Sequence, residues 1–210
     1  MKKKGFFITF EGGEGAGKTT LIQGIESHLK KADHSVLKTR EPGGTPLGES
    51  IRQTLLSANG PVSAYAELCL FLASRAQHIE EVIGPALEQG KVVLCDRFND
   101  SSIAYQGGAR GLGIDKVEQM CEFVCQGLEP DLTLYLDIDP ALGIARARNA
   151  RSPDRIEAEQ ITFHEKIREI YHLLHHKHHK RLHLLDASLA PEMVLKEALL
   201  LLSQKMKEHV

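Results

Sequence analysis

The feature that most constrains the fold is the segment GGEGAGKT at residues 12–19, which matches the phosphate-loop pattern G-x-x-x-x-G-K-[ST] at each fixed position. The apolar run Phe6–Phe10 leads into this segment as a buried strand would. Behind it, Leu21, Ile25 and Leu29 recur at four-residue spacing, which indicates one face of a helix. Strand, glycine-rich loop and helix follow in the order that a phosphate loop requires. A glycine-rich turn with an incidental lysine does not explain that context.

This loop is suited to bind a nucleoside triphosphate. Its glycines let successive backbone N–H groups point at one anion, and the N-terminus of the following helix adds partial positive charge. Lys18 contributes a full positive charge, and the hydroxyl of Thr19 is suited to Mg²⁺. The residues that we expect to hold the triphosphate are Gly12, Gly13, Glu14, Gly15, Ala16, Gly17, Lys18, Thr19 and Thr20.

Composition limits the partners and the compartment. With 210 residues, of which 42% are apolar, the chain is long enough for one α/β domain spanning residues 1–210. A net charge of −2 gives no reason to expect nucleic acid or an anionic membrane as partner. No stretch approaches the roughly 18 apolar residues of a membrane helix, so we expect a soluble protein. The four cysteines form no C-x-x-C and favour a reducing cytoplasm, and apolar neighbours predict core positions for Cys69 and Cys95.

Strands and helices are predicted to alternate along the chain. After Phe6–Phe10, the strand candidates are Ser35–Thr39, Val92–Cys95, Leu132–Asp137 and Arg181–Leu185. The helix candidates are Gly48–Leu56, Ala64–Glu88 with a bend at Pro85, Asp115–Gln126, Pro140–Arg148, Glu159–Leu174 and Pro191–Lys207. This alternation predicts a parallel sheet covered by helices on both faces, with ligands at the carboxyl ends of the strands.

Polar residues follow the predicted strands at this edge of the sheet. Asp96 ends a buried strand, which is the position of an aspartate that reaches Mg²⁺ beside a phosphate loop, and Asp137 has the same form. We prefer Asp96 because Arg97 follows it, and a guanidinium can bind a second phosphate through two hydrogen bonds. A helix cap at this strand end is the alternative interpretation.

Two further patterns are suited to a nucleotide. Phe71 and Arg75 lie one helical turn apart, so an aromatic face and a guanidinium can share a pocket for a flat heterocycle. A core phenylalanine beside a snorkelling arginine would give the same pattern. The segment RARNARSPDRIE at 146–157 carries four arginines around a Ser-Pro turn. We interpret it as a lid that folds over an anion, although such charge runs also occur on solvated surfaces.

Six motifs in a specific order carry a resemblance to a known family. They are FEGGEGAGKTT at 10–20, TREPGGT at 39–45, FLASR at 71–75, DRFNDSSIAYQGGARG at 96–111, DLTLYLDIDP at 131–140 and RARNARSPDRIE at 146–157. With these motifs the chain closely resembles bacterial thymidylate kinases, which are P-loop nucleoside monophosphate kinases. The resemblance implies a three-layer fold with a five-stranded parallel sheet. It also implies Mg²⁺-dependent transfer of the ATP γ-phosphoryl group to dTMP, giving dTDP and ADP for dTTP synthesis.

The resemblance also implies roles for individual residues. Lys18 and Thr19 would hold the ATP phosphates and Mg²⁺, Asp96 would lie at the metal, and Arg97 would bind the dTMP phosphate with help from Arg40. Phe71 would stack on thymine, Arg75 would donate to its O4, Tyr105 would crowd the 2′ position, and Glu14 would bind the 3′-hydroxyl. Pro42, Ser102 and Gln106 would complete the dTMP contacts, and Arg146 would contact ATP.

The position of the catalytic arginine divides this family between the phosphate loop and the lid. Residues 13–16 contain no basic side chain, so the chain resembles the lid-arginine type, and Arg151, Arg155 or both would stabilise the transferring phosphoryl group. Arg151 stands one place from the family position, which favours Arg155. Phe98 stands where the family has Tyr or His, so we expect no direct role for it.

Some features lie outside the resemblance or leave alternatives open. His172 and His176 are four residues apart and could share a metal, but a solvated helix end explains the histidines of 172–183 more simply. The resemblance implies a homodimer through helix faces that include residues 64–88.

A kinase for another monophosphate or for a deoxynucleoside remains the nearest rival. A P-loop regulator of the GTPase kind is less well supported, because its guanine-reading N-K-x-D is missing from the sequence.

Overall fold

Five parallel strands form the centre of the molecule. A computed structural model describes residues 5–57, 60–148, 155–156 and 158–209, without the side chain of Arg148. The strands are β1 (Phe6–Gly12), β2 (Val36–Arg40), β3 (Val92–Asp96), β4 (Leu132–Asp137) and β5 (Leu182–Asp186). Their order in the sheet is β2-β3-β1-β4-β5, and each neighbouring pair is parallel. The predicted strands are therefore confirmed, with ends that differ by at most two residues.

Helices cover both faces of this sheet, as predicted. They are α1 (Lys18–Lys31), α2 (Pro46–Leu56), α3 (Ala64–His78), α4 (Gly84–Glu88), α5 (Asn99–Ser102), α6 (Ile114–Cys125), α7 (Pro140–Arg148), α8 (Ile161–Lys177) and α9 (Pro191–Glu208). Apolar residues of α1 and α9, such as Ile25 and Ala198, pack with Ile8 and Phe10 of β1 on one face. Tyr171 of α8 packs with Tyr135 of β4 on the other face, in a cluster to which α3 and α6 also contribute.

Two π-helical segments depart from the predicted helix pattern. The first, Ile79–Ile83, interrupts the predicted helix 64–88 just before Pro85, because proline has no N–H to donate to the preceding turn. The second, Ile103–Ala109, continues α5 in a stretch where sequence periodicity predicted no helix. It carries Tyr105 and Gln106 beside the carboxyl ends of the strands, so this unpredicted element forms one wall of the site described below.

One predicted core position is wrong. Cys95 is buried, as expected, but Cys69 is exposed. Leu68 and Leu72 face the core from α3, and Cys69, one residue after Leu68, is turned about 100° away from that face. Within the residues that the structure describes, no helix is long and apolar enough to cross a membrane.

Candidate active site

A cavity of about 550 Å³ opens at the carboxyl ends of the strands. It brings together most residues that the sequence predicted to bind nucleotides. Those that line it are Glu14, Gly15, Ala16, Gly17, Lys18, Thr19, Arg40, Pro42, Phe71, Arg75, Asp96, Arg97, Ser102, Tyr105, Gln106 and Arg146. Gly12, Gly13 and Thr20 belong to the loop that forms its floor or to the start of α1. One cavity thus joins the phosphate loop to a second pocket built from β2, α3 and the Ile103–Ala109 segment.

The phosphate loop packs directly on the first turn of α7. A Cβ on Gly15 would lie 2.0 Å from the carbonyl oxygen of Gly143, and a Cβ on Gly143 would lie 2.4 Å from the carbonyl oxygen of Glu14. Gly15 also has a φ of +65°, a backbone conformation that would be strained in a residue with a side chain. These two glycines therefore fix how closely the helix that leads to the lid approaches the loop.

The side chain of Lys18 folds back onto the backbone of the phosphate loop. Its ammonium donates to the carbonyl oxygens of Gly12 at 3.1 Å and Gly13 at 2.9 Å. Burial lowers the pKa of Lys18, and the nearby positive charge of Arg97 lowers it further, whereas Glu14 and Asp96 raise it. An anion in this cavity would relieve the repulsion between Lys18 and Arg97.

Asp96 is suited to a metal or to a water on a metal. Its Oδ1 is buried and has no hydrogen-bond partner among the described residues. Its backbone carbonyl accepts from Glu41 N–H at 2.9 Å, so the strand end is held in place. Mg²⁺ prefers carboxylate, hydroxyl and phosphate oxygens, and Thr19 lines the same cavity. The donor set therefore fits Mg²⁺. Asp137, the alternative from the sequence, is instead bound by both Nε and Nη2 of Arg168 at 2.8 Å.

Arg97 adopts an uncommon backbone conformation that turns it into the cavity. Its φ is +70°, and the turn is held because Arg97 N–H donates to Phe10 O at 2.9 Å. The guanidinium donates to Glu14 at 2.8 Å and to Ser101 Oγ at 3.2 Å, and it lies 5.1 Å from the centroid of the Tyr105 ring. Arg97 is thus a positioned cation, and 19% of its side chain is exposed, so an anionic ligand can reach it.

Glu11 is a buried carboxylate that the sequence placed at the end of the first strand without an individual role. It accepts from Phe98 N–H at 2.8 Å, from Ser101 Oγ at 2.5 Å and from Tyr171 OH at 2.8 Å. Burial raises the pKa of Glu11 to about 7, and the charge of Asp100 adds to this rise. Glu11 holds the backbone that immediately follows Arg97, so it supports the turn on which Arg97 sits.

Arg75 is fully buried beneath the second pocket. Its Nε donates to Glu41 Oε2 at 2.7 Å, and its Nη2 donates to Phe98 O at 3.0 Å and to Ser102 Oγ at 3.1 Å. The guanidinium also lies 5.1 Å from the centroid of the Phe98 ring. Phe98, with no exposed surface, therefore supports Arg75 through its ring and its carbonyl oxygen. A polar tip is not needed for either contact.

The remaining predicted residues of this pocket have mixed surroundings. Phe71 is partly buried and lines the cavity beside Arg75. Gln106 is buried and donates to Glu67 at 2.9 Å. Arg40 is exposed and forms an ion pair with Glu49 at 2.9 Å, so it lies at the rim of the cavity.

The arginines of the predicted lid point in different directions. Arg146 lines the cavity and donates to Ala187 O at 2.9 Å. Arg155 donates to Leu55 O at 3.2 Å and forms an ion pair with the buried carboxylate of Glu67. Arg155 therefore contacts α2 and α3 and is not among the cavity-lining residues. Arg151 and most of the predicted lid lie outside the described residues.

The histidines of 172–183 make separate contacts. His172 lies 3.3 Å from Asp137, His175 Nδ1 is 3.0 Å from Leu182 O, and His178 Nε2 is 3.1 Å from Glu118. Among the described residues, none of these histidines belongs to a group of three potential metal ligands. Their surroundings differ from one another, and they do not converge on one point.

Comparisons with known proteins agree on one family. A family model described as thymidylate kinase matches residues 10–198. A thymidylate kinase of Protochlamydia amoebophila is 48% identical over 213 residues, covering 97% of this chain and 95% of that protein. A thymidylate kinase of Bacillus licheniformis is 45% identical over 98% of both chains. A crystal structure of thymidylate kinase from Ehrlichia chaffeensis superposes with a TM-score of 0.78 at 32% identity, covering 95% of this chain and 99% of that one. The chain therefore belongs to the thymidylate kinase family, and it is a nucleoside monophosphate kinase, a phosphotransferase.

Proposed function

We propose that the chain transfers the γ-phosphoryl group of ATP to the phosphate of dTMP, giving ADP and dTDP. The observation that carries this proposal is the position of Arg97, which lines the same cavity as the phosphate loop and forms an ion pair with Glu14 of that loop. A phosphate loop alone binds one nucleotide. A second cation, turned into the same cavity by an uncommon backbone conformation, provides for a second phosphate.

On the donor side, the phosphate loop and Lys18 bind the ATP phosphates. The residues that we assign to ATP are Gly12, Gly13, Glu14, Gly15, Ala16, Gly17, Lys18, Thr19, Thr20 and Arg146. Lys18 would exchange the carbonyl oxygens of Gly12 and Gly13 for phosphate oxygens, because both are acceptors at hydrogen-bond distance. Arg146 lines the same cavity and donates to Ala187 O, and from this position it would contact the ATP nucleoside.

On the acceptor side, Arg97 binds the dTMP phosphate and Arg40 assists at the rim. The base lies between Phe71 and the edge of Arg75, where a thymine oxygen accepts a hydrogen bond. Glu14, Pro42, Ser102, Tyr105 and Gln106 complete this pocket. Tyr105 packs against Arg97, so one ring both supports the phosphate-binding cation and limits the space at the sugar.

Thr19 and Asp96 would hold Mg²⁺, and the buried, unpaired Oδ1 of Asp96 supports this assignment. When bound, the metal neutralises charge on the phosphates. The protein residues supply position and further positive charge, and no covalent enzyme intermediate is needed because the acceptor is already an anionic phosphate.

A lid arginine supplies charge to the transferring phosphoryl group, since residues 13–16 of the phosphate loop are not basic. Arg151 and Arg155 are the candidates. Arg155 acts directly only if its guanidinium exchanges Glu67 and Leu55 O for phosphate. The contacts of Arg155 favour an anchoring role for this residue. Arg151 is therefore the first candidate to stabilise the transferring phosphoryl group.

We further propose that the protein works in the cytoplasm as one domain and as a homodimer. Family resemblance supports the dimer, and sedimentation velocity at micromolar concentration tests it: a monomer at all concentrations would overturn it. The substrate is tested by ADP release with ATP and Mg²⁺ across dTMP, dUMP, dCMP and UMP. We expect the highest kcat/KM with dTMP, and a preference for UMP would overturn the assignment.

A further inference from the structure

Arg75 lines the second pocket, in which the proposed function places the base, and most of its N–H groups already have protein acceptors. An arginine side chain carries five N–H hydrogens. Nε donates one to Glu41, and Nη2 donates both of its hydrogens, to Phe98 O and Ser102 Oγ. Nη1 has a weak acceptor, Cys121 Sγ at 3.5 Å. The second hydrogen of Nη1 is therefore the one left to meet an acceptor on the base, and its direction depends on how the guanidinium plane is held.

Glu41 sets that plane from one side. It lies directly after β2, its N–H donates to Asp96 O at 2.9 Å, and only 4% of it is exposed. One carboxylate oxygen accepts from Arg75 Nε at 2.7 Å, and the other lies 3.1 Å from Nδ1 of His78. The carboxylate cannot rotate without breaking one of these contacts, so the orientation of Arg75 depends on both oxygens being held.

His78 holds the second carboxylate oxygen of Glu41, and Thr39 and Gly44 confine its ring. It is fully buried at the end of α3, one turn after Arg75, and its Nε2 lies 2.6 Å from Thr39 Oγ1. A Cβ at residue 44 would lie 2.4 Å from the same Nε2, so Gly44 leaves space for the ring. With Nδ1–H donating to Glu41 and Nε2 accepting from Thr39, a neutral imidazole satisfies both neighbours.

We propose that His78, acting through Glu41, is a positioning residue that sets the orientation of Arg75 and so contributes to the selection of a pyrimidine with an oxygen at position 4. This inference rests on the proposed function, because it assumes that Arg75 donates to the base. His78 does not line the cavity, and the carboxylate of Glu41 is the contact that connects it to Arg75.

Glu41 and His78, together with Cys95, have the ligand atoms of a metal site, but their contacts favour the hydrogen bonds described above. Ligand atoms of Glu41, His78 and Cys95 lie within 4.8 Å of one another. Burial raises the pKa of the Cys95 thiol well above its ordinary range, and this thiol donates to Arg97 O at 3.2 Å. Both oxygens of Glu41 already have partners, and a metal ion would stand next to the guanidinium of Arg75. Positioning is the role that these contacts support.

The test compares dTMP with 5-methyl-dCMP, which keeps the methyl group and carries an amino group at position 4. We define the selectivity as the ratio of kcat/KM for these two acceptors. His78→Phe keeps an aromatic ring and removes both nitrogens, so it should lower the selectivity by about tenfold, mainly through a higher KM for dTMP. His78→Asn offers an amide N–H in place of Nδ1–H and should retain most of the selectivity. The KM for ATP should stay unchanged in both variants.

Asp100→Asn is the matched control, because the side chain of Asp100 is as fully buried as that of His78, forms an ion pair with Arg181 at 2.7 Å and does not line the cavity. It should lower Tm but not the selectivity. The inference is overturned if His78→Phe leaves the selectivity unchanged, or if His78→Phe and Asp100→Asn lower it equally. If His78→Phe does not fold, His78→Asn and Glu41→Gln decide: the inference requires that Glu41→Gln lowers the selectivity more than His78→Asn. Failure of the proposed function has a different signature, because the unaltered enzyme would then show no preference for dTMP.

Discussion

The carboxylate of Glu14 lies 2.8 Å from the guanidinium of Arg97, although the two residues are 83 positions apart in the chain. Glu14 belongs to the phosphate loop and Arg97 to the turn after β3, so this contact joins the two nucleotide pockets. An acceptor phosphate at Arg97 would take the place of Glu14 as its anionic partner. Glu14 would then exchange its contact with Arg97 for one with a hydroxyl on the sugar of the same nucleotide.

This exchange predicts how the 3′-hydroxyl is recognised. Glu14→Gln should lower the preference for dTMP over 3′-deoxy-dTMP by about tenfold, because a hydrogen bond to a charged acceptor contributes roughly 1.5–3 kcal/mol. The ratio of kcat/KM for the two nucleotides, each measured separately in the ADP-release assay, gives the preference. If the preference is the same in both enzymes, Glu14 does not contact the 3′-hydroxyl. Glu49→Gln is the control, since Glu49 also pairs with an arginine, Arg40, but is exposed on α2 and does not line the cavity.

The close approach of α7 to the phosphate loop predicts a sensitive glycine. Gly143→Ala would place its Cβ 2.4 Å from Glu14 O, and backbone cannot move aside as a side chain can. We expect an increase in the KM for ATP of about tenfold and a loss of roughly 1–3 kcal/mol in the free energy of unfolding. Steady-state kinetics and urea unfolding measure these effects. Ala145→Ser on the exposed face of the same helix should change neither, and an unaltered KM for ATP in Gly143→Ala would show that the loop does not depend on this contact.

Glu11 predicts a specific dependence of stability on pH. Because burial raises its pKa from an ordinary 4.5 to about 7, the folded protein binds a proton more tightly at this site than the unfolded chain does. The contribution of Glu11 to stability is thus complete below pH 4.5 and is lost as the pH rises through 7. Each pKa unit corresponds to about 1.4 kcal/mol, so the loss is about 3 kcal/mol.

Glu11→Gln removes this titration. Urea unfolding of both proteins from pH 4.5 to 8 should show the free energy of unfolding of the unaltered protein falling relative to that of Glu11→Gln. The comparison is needed because Asp137 and Glu67, whose pKa values are lowered in the folded protein, act in the opposite direction in both proteins. A constant difference across this pH range would mean that Glu11 is ionised throughout, which its three hydrogen-bond donors would then explain.

The contact between Arg155 and Glu67 separates anchoring from catalysis. If Arg155 anchors the end of the lid, Arg155→Ala and Glu67→Gln should lower kcat to a similar extent, and the double variant should be little worse than either single variant. If Arg155 instead touches the transferring phosphoryl group, Arg155→Ala alone should lose on the order of 10³ in kcat. We expect the first outcome. Glu159→Gln, which removes the ion pair between Glu159 and Arg110 at 2.6 Å, controls for general loss of charge in this region.

The sequence predicted those parts of the site that depend on local order. Residues 12–19 form a phosphate loop because their neighbours in the chain determine its conformation, and Asp96 and Arg97 lie at the predicted strand end for the same reason. The strand pattern also predicted the sheet, because buried parallel strands are continuous apolar runs.

Long-range polar contacts were not predictable in this way. Glu11 meets Tyr171, 160 residues later, and Arg155 meets Glu67 across 88 residues. Neither pair has a spacing that periodicity can detect. The Ile103–Ala109 segment was missed because π-helical turns do not follow the 3.6-residue period, and Cys69 was misplaced because its apolar neighbours face the core while it does not.

Transfer between two nucleotides in one cavity is the central claim, and the fate of a label on the ATP γ-phosphate tests it most directly. With dTMP and Mg²⁺ present, the account predicts that the label appears in dTDP, that little appears as inorganic phosphate, and that Arg97→Ala abolishes the transfer while ATP still binds. Label released only as inorganic phosphate, at a slow rate that dTMP does not change, would contradict the account and would indicate a nucleotide-binding regulator instead.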